Sequence, residues 1–195
     1  MAAILALSRG IDWCTEWIGR IAGYGILVSI LISVGNALVR KFAPSYSSNA
    51  WLEAQWYLFG AAFMLASAHT LQKNEHIRID LLYANLKRRT QHWIDLLGHM
   101  LFLLPFSLLM TYYLLPWAQR SFLNGEQSPN AGGLLIWPAK MIILAGFVLL
   151  TLQCLSEIIK KIAVMRGTIE DPTPYVSAHE ASKAEAEALI QEMKK

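Results

Sequence analysis

The sequence predicts an all-α membrane protein with four transmembrane helices, an amphipathic N-terminal lead-in and a short cytoplasmic tail. Three observations carry that expectation. Only 16% of the 195 residues are charged, against roughly 25% in a soluble domain, and 55% are hydrophobic, more than a chain this small can bury in its own core. The charges are also segregated. Residues 21–39, 54–72, 96–119 and 141–156 contain no Asp, Glu, Lys or Arg, and these runs approach or exceed the roughly 20 apolar residues that a bilayer crossing needs. Finally, the tryptophans fall at the ends of the runs, with Trp13, Trp17 and Trp93 at one boundary and Trp51, Trp56, Trp117 and Trp137 at the other. An indole at that depth finds both hydrocarbon and a hydrogen-bond partner.

The elements follow in order. Residues 1–17 form the amphipathic lead-in, with Leu7, Ile11, Cys14 and Trp17 on one side. The transmembrane domain occupies 18–160. Its first span is 18–39, ended by Arg40 and Lys41, and Pro44 with Ser45, Ser47 and Ser48 makes a short loop. The second span is 49–72, with Glu53 just inside its start, and a longer loop follows. The third span, 93–117, holds Pro105 at its middle and Pro116 at its end; neighbouring helices can satisfy the carbonyl that a proline frees. A turn-rich loop then leads to the fourth span, 134–158. In the tail, 161–195, Pro172 and Pro174 break the helix, and Ser177 with Glu180 forms a capping box before an Ala/Glu/Lys-rich segment. It reads as solvated. No internal repeat is evident.

Basic residues set the orientation. Ten (Arg9, Arg20, Lys73, Arg78, Lys87, Arg88, Arg89, Lys160, Lys161 and Arg166) lie on the side of the N-terminus, and four (Arg40, Lys41, Arg120 and Lys140) on the other. The positive-inside rule places both termini in the cytoplasm. Cys14 and Cys154 both fall near that side, where a disulfide is not expected. The N-terminus has no basic segment or small-residue cleavage site of the kind that marks a cleaved signal peptide. A net charge of +3 lying beside the spans is no nucleic-acid footprint, and no phosphate loop, metal cluster or nucleophile motif is present.

Small residues recur at every fourth position in the first span (Gly25, Ser29, Ser33, Ala37) and in the second (Ala62, Ala66, Thr70). Such stripes let helix backbones approach closely, against a neighbour in the same chain or in another protein. Glu53 and Lys140 are ionisable residues slightly inside spans, near the outer boundary. They are open to pairing with each other, with a partner subunit or with headgroups. His69 and His99 end and begin adjacent spans and raise an alternative, a haem-bearing membrane anchor of a redox enzyme. Interfacial, hydrogen-bonded histidines are the plainer reading. The loop Asn74-Glu75-His76-Ile77-Arg78-Ile79-Asp80 alternates polar and apolar residues and leads to Lys87-Arg88-Arg89, a basic end that favours anionic lipid.

Glu53 opening a span, the run Gly60-Ala61-Ala62 through Ala68, and His76-Ile77-Arg78-Ile79-Asp80 together resemble the signature of the small membrane subunit of TRAP transporters, the DctQ-like family. The resemblance covers roughly residues 11–165 and leaves out the tail. It implies a non-catalytic accessory subunit of a tripartite, sodium-coupled importer of organic anions in the bacterial inner membrane. Its partners would be a large multi-span transport subunit and a periplasmic solute-binding protein. It also implies that no cofactor is held here and that sodium belongs to the large subunit. Glu53, Trp56, Gly60, Ala62, Ala66, His76, Arg78, Asp80 and Lys140 are the candidates for the subunit interface. Arg40, Lys41 and Arg120 are the candidates for docking the binding protein.

Overall fold

The structure, a computed structural model, describes residues 2–76, 83 and 86–171. They form five helices: α1 (Ala2–Phe42), α2 (Asn49–Lys73), α3 (Arg88–Gly98), α4 (Leu104–Leu123) and α5 (Trp137–Met165). A 3-10 turn, Pro44–Tyr46, follows α1, and a π-helical turn, His99–Leu103, joins α3 to α4. Among the described residues the only β pairing is an isolated antiparallel bridge between Gln127 and Leu135. Three helices are long and apolar enough to cross a membrane: α1, the continuous run Arg88–Leu123, and α5. The sequence led us to expect four. α2 has the length, about 37 Å at 1.5 Å per residue. It also carries Glu53, Gln55, His69, Thr70, Gln72 and Lys73, which make it less apolar than the other three. The tail beyond Asp171 lies outside the described residues.

α1 runs without a break through both the lead-in and the first span. Its length is about 60 Å, twice the roughly 30 Å hydrocarbon thickness, so it extends well past the apolar layer. α2 is capped by Ser48, whose hydroxyl accepts from the Ala50 N–H at 3.2 Å. It ends at Asn74, which takes the left-handed conformation (φ 57°) that stops a helix.

The run Arg88–Leu123 bends its backbone pattern around Pro105. Proline offers no N–H to the preceding turn, and immediately before it the helix widens into the π turn, where Leu104 N–H reaches back to His99 O. The same carbonyl accepts the thiol of fully buried Cys154 at 3.6 Å. α4 then continues through Pro116 to Leu123. α5 begins at Trp137, with Pro138 in its first turn, rather than at 134. Leu134 and Ile136 give their N–H groups to Glu53 and to the Glu126 carbonyl instead.

α5 is the hub. It packs against α1, α2, α3 and α4, while α1 lies chiefly along α2 and α4 leans chiefly on α5. Close approach requires small residues at two crossings. A Cβ on Gly146 would sit 2.9 Å from Met64 Cβ and 3.0 Å from Met64 O, and a Cβ on Gly19 would sit 2.5 Å from the His69 ring. Along α1 the buried side chains are Ser8, Thr15, Ala22, Ser29 and Asn36, a seven-residue repeat of small or polar residues, with Gly19 buried beside it where His69 packs. A four-residue stripe drifts about 40° around the helix per step, a seven-residue one about 20° in the other sense. Of the stripe expected from sequence, Gly25 and Ser29 therefore face α2, whereas Ser33 and Ala37 have turned outward and are exposed.

The glycines give a direct test. Gly146→Ala should lower the stability of the detergent-solubilised chain by about 1–3 kcal/mol, the usual range for overpacking, seen as a drop in thermal midpoint. Gly60→Ala, whose added methyl meets nothing within 4 Å, should leave the midpoint unchanged. Equal shifts would show that the approach of α2 to α5 does not limit stability.

Candidate functional site

At the end of the molecule where α2 and α5 begin, Glu53 is the organising residue. It is buried and accepts from the Ser128 hydroxyl, from Asn130 Nδ2 at 2.8 Å and from Leu134 N–H at 2.7 Å. Asn49 adds a bond from its side chain to Ala131 O at 2.9 Å. The loop 124–136 is thereby folded over the start of α2. Gly133 must be glycine, because a Cβ there would lie 2.6 Å from Ser128 Cβ and 2.8 Å from the Glu53 carboxylate.

Lys140, the other ionisable residue placed inside a span, does not meet Glu53. It pairs with Glu126 and lies 4.4 Å from the centroid of the Trp117 ring. The Lys140 ammonium holds the Glu126 carboxyl below its ordinary value. The contact therefore stands at neutral pH and is lost only as pH falls through that lowered value.

At the opposite end a polar junction that the sequence reading did not single out ties α1, α2 and α5 together. Asp12 Oδ1 accepts from Gln153 Nε2 and from the Ser156 hydroxyl, each at 2.8 Å, and Lys160 lies 3.0 Å from Oδ2. Gln72 donates to the Asp12 carbonyl at 3.1 Å, and the hydroxyls of Ser8 and Ser156 meet at 2.6 Å. Gln153, fully buried, gives its amide to Glu157 as well, at 2.9 Å, and Lys160 pairs with Glu157 at 2.6 Å. A second buried pair, Asp95 with Lys161 at 2.9 Å, ties α3 to α5. The signal was present: Gln153, Ser156, Glu157 and Lys160 follow the i, i+3, i+4, i+7 spacing of one helix face.

The remaining candidates separate by position. On α2, Ala62 is buried toward α1, its Cβ 3.9 Å from where a Gly25 Cβ would stand, and Ala66 is half-buried. Trp56 is exposed, and Gly60 has open space before it. These two line an apolar cavity of about 310 Å³ with Phe63, Ala139 and Ile142. His76 is exposed; Arg78 and Asp80 lie outside the described residues. Arg40, Lys41 and Arg120 are all exposed. Arg40 donates to Ser47 Oγ at 3.5 Å, Lys41 stands over the Phe42 ring, and Arg120 borders a cavity with Trp117 and Lys140.

The histidines of the redox alternative lie on α2 and in the π turn. His69 packs on Gly19 of α1, and the His99 carbonyl backs onto Cys154 of α5. Among the described residues no group of three or more His, Cys, Asp or Glu could hold a metal ion.

The role of Glu53 can be read at one amide. Glu53→Ala should speed hydrogen exchange at Leu134 N–H by about tenfold or more, the scale of losing one charge-assisted hydrogen bond. Lys140→Met should leave that amide protected. Unchanged exchange in Glu53→Ala would show that the loop holds its shape without the carboxylate.

No curated protein and no solved structure matches the chain. A family model does: that of the DctQ component of tripartite ATP-independent periplasmic transporters matches residues 29–164, from the middle of α1 almost to the end of α5. The chain belongs to the DctQ family, the small membrane component of TRAP transporters.

Proposed function

We propose that this chain is a non-catalytic accessory subunit of a sodium-coupled TRAP importer of organic anions in the bacterial inner membrane. In this reading it packs on the static part of the large transport subunit and helps to present a docking surface for the periplasmic binding protein. The observation that carries the proposal is the family match across residues 29–164. Sodium and solute would be bound by the large subunit, whose residues select the substrate.

The geometry supports a division of labour among the candidates. The face of α2 that carries Trp56, Phe59 and Phe63 is exposed, and Gly60 leaves a hollow between these rings. In lipid, helices recognise each other by close packing and shape, since the surrounding tails are as apolar as the side chains. We assign that face, with the adjoining wall of α5, to the large subunit, and Ala62 and Ala66 to the internal seam with α1. α2 is taken as the fourth span, flanked by α1 and α5. Both termini are placed in the cytoplasm by the basic bias, and His76, Arg78 and Asp80 then lie on the cytoplasmic side. The exposed cations Arg40, Lys41 and Arg120 then face the periplasm, where charges on a rim act mainly on encounter rate and salt dependence.

Assembly tests the function. The chain should co-purify with a much larger hydrophobic subunit at about 1:1, and Gly60→Leu should reduce the recovered complex several-fold while leaving the thermal midpoint of the small chain unchanged. Liposomes holding this chain alone with a binding protein should take up no solute on a sodium gradient. Uptake by the isolated chain would overturn the accessory reading.

Topology has its own check, because Cys14 is exposed and Cys154 is buried. In spheroplasts a cysteine introduced at Asn124 should react with an impermeant maleimide and Cys14 should not. Labelling of Cys14 from outside would invert the orientation.

A further inference from the structure

A large cavity lies at the end of the molecule that carries Asp12 and Lys161. It is an open groove of about 780 Å³ between α3, the π turn and the last turns of α5. Its composition changes with depth. Arg89 from α3 and Arg166, just past α5, stand at the rim, and both are exposed. Trp93 and His92 come next, and Met100 and Ile162 form part of an apolar floor. From Arg89 to Met100 the helix climbs about 16 Å, from the headgroup level that an exposed tryptophan marks into hydrocarbon. Other charges beside the groove are already matched: Arg88 pairs with Asp171 at 2.7 Å and Lys161 with Asp95 at 2.9 Å. The two rim guanidinium groups enter no ion pair among the described residues. His92 is more than nine-tenths buried, and its Nδ1 has no hydrogen-bond partner there, although the ring lines the groove.

We propose that this groove is a binding site for an anionic phospholipid. Two guanidinium groups at its mouth suit phosphate oxygens, which arginine engages through paired N–H donors. The His92 ring, whose Nε2 lies 3.6 Å from Asp171 Oδ2, walls the groove one turn deeper, and the floor takes the upper acyl chains. Basic pockets between transmembrane helices hold acidic headgroups by this logic. The site fastens α3 to α5 from outside, next to the Asp95–Lys161 pair that joins them within.

Native mass spectrometry of the full chain in mild detergent tests the proposal, with cardiolipin, phosphatidylglycerol and phosphatidylethanolamine titrated separately. Cardiolipin and phosphatidylglycerol should be retained in preference to phosphatidylethanolamine. The Arg89→Gln/Arg166→Gln double variant should weaken their binding about tenfold or more, the scale of losing a charge-assisted hydrogen bond. Arg9→Gln/Lys73→Gln, which removes two charges from the same end away from the groove, should change it less than twofold. An equal loss in both double variants would reduce the site to diffuse attraction and overturn the proposal, as would retention of phosphatidylethanolamine to the same extent. A chain shortened to residue 171 should bind like the full chain. If only the shortened chain binds, the tail is the occupant and the proposal fails. The readout is lipid, not transport, so failure here leaves the accessory-subunit reading standing.

Discussion

A carboxylate placed between helices costs several kcal/mol unless its lone pairs are filled, and the way Asp12 is filled fixes how the long first helix lies on the rest. Its partners are all on α5: Gln153, Ser156 and Lys160. Sliding α1 along α5 by one residue would unpair the acid and separate Ser8 from Ser156. With that register set, the seven-residue repeat of α1 falls into place farther along. Gly19 comes against His69, and Ser29 donates to the Gln55 carbonyl at 2.8 Å. The seam passes from α5 to α2 without a large side chain among its seven-spaced positions.

Small and polar side chains serve this purpose better than leucines. Within lipid there is no gain from hiding apolar surface, so association draws on dispersion at short range and on hydrogen bonds. Gly19 and Gly146 provide the short range, and Ser8, Asp12 and Ser29 provide the bonds. The large apolar residues of α1, among them Ile21, Leu31 and Leu38, are left on its outer face. This is the inverse of a soluble core. It also explains why the buried set among the described residues is dominated by Ala, Ser, Thr, Gln and ion pairs.

The helical class and the proline-tolerant apolar run around Pro105 were legible because they depend on composition and local geometry. Apolar runs, boundary tryptophans and Pro105 are visible one residue at a time. What the sequence hid depends on which helices meet. Ser33 and Ala37 continue the four-residue stripe, yet the contact follows a seven-residue repeat, and only the presence of long neighbours along α1 selects that period. Glu53 and Lys140 stood out as ionisable residues within spans. Their partners Ser128, Asn130 and Glu126 come from a turn-rich loop whose path no periodicity predicts. Asp12 went unremarked because it sits in a segment that reads as surface. Its half-buried position follows from α1 being one unbroken helix laid against α5.

α2 gains a particular property from these two polar ends. Glu53, one turn from its start, is held by the loop 124–136, and Gln72, one residue from its end, donates to the Asp12 carbonyl. Between those points Gly146 brings α5 against Met64 and Gly25 faces Ala62. A helix pinned at both ends and pressed along two sides can present its remaining face only in one orientation. That face carries Trp56, Phe59 and Phe63 around the open position of Gly60. Rigid rings lose little conformational freedom on contact, and recognition in hydrocarbon depends on fit. A fixed relief of rings around a hollow can therefore discriminate between partner helices where a mobile apolar surface could not. The polar bonds at the two ends, remote from that face, are what keep its shape.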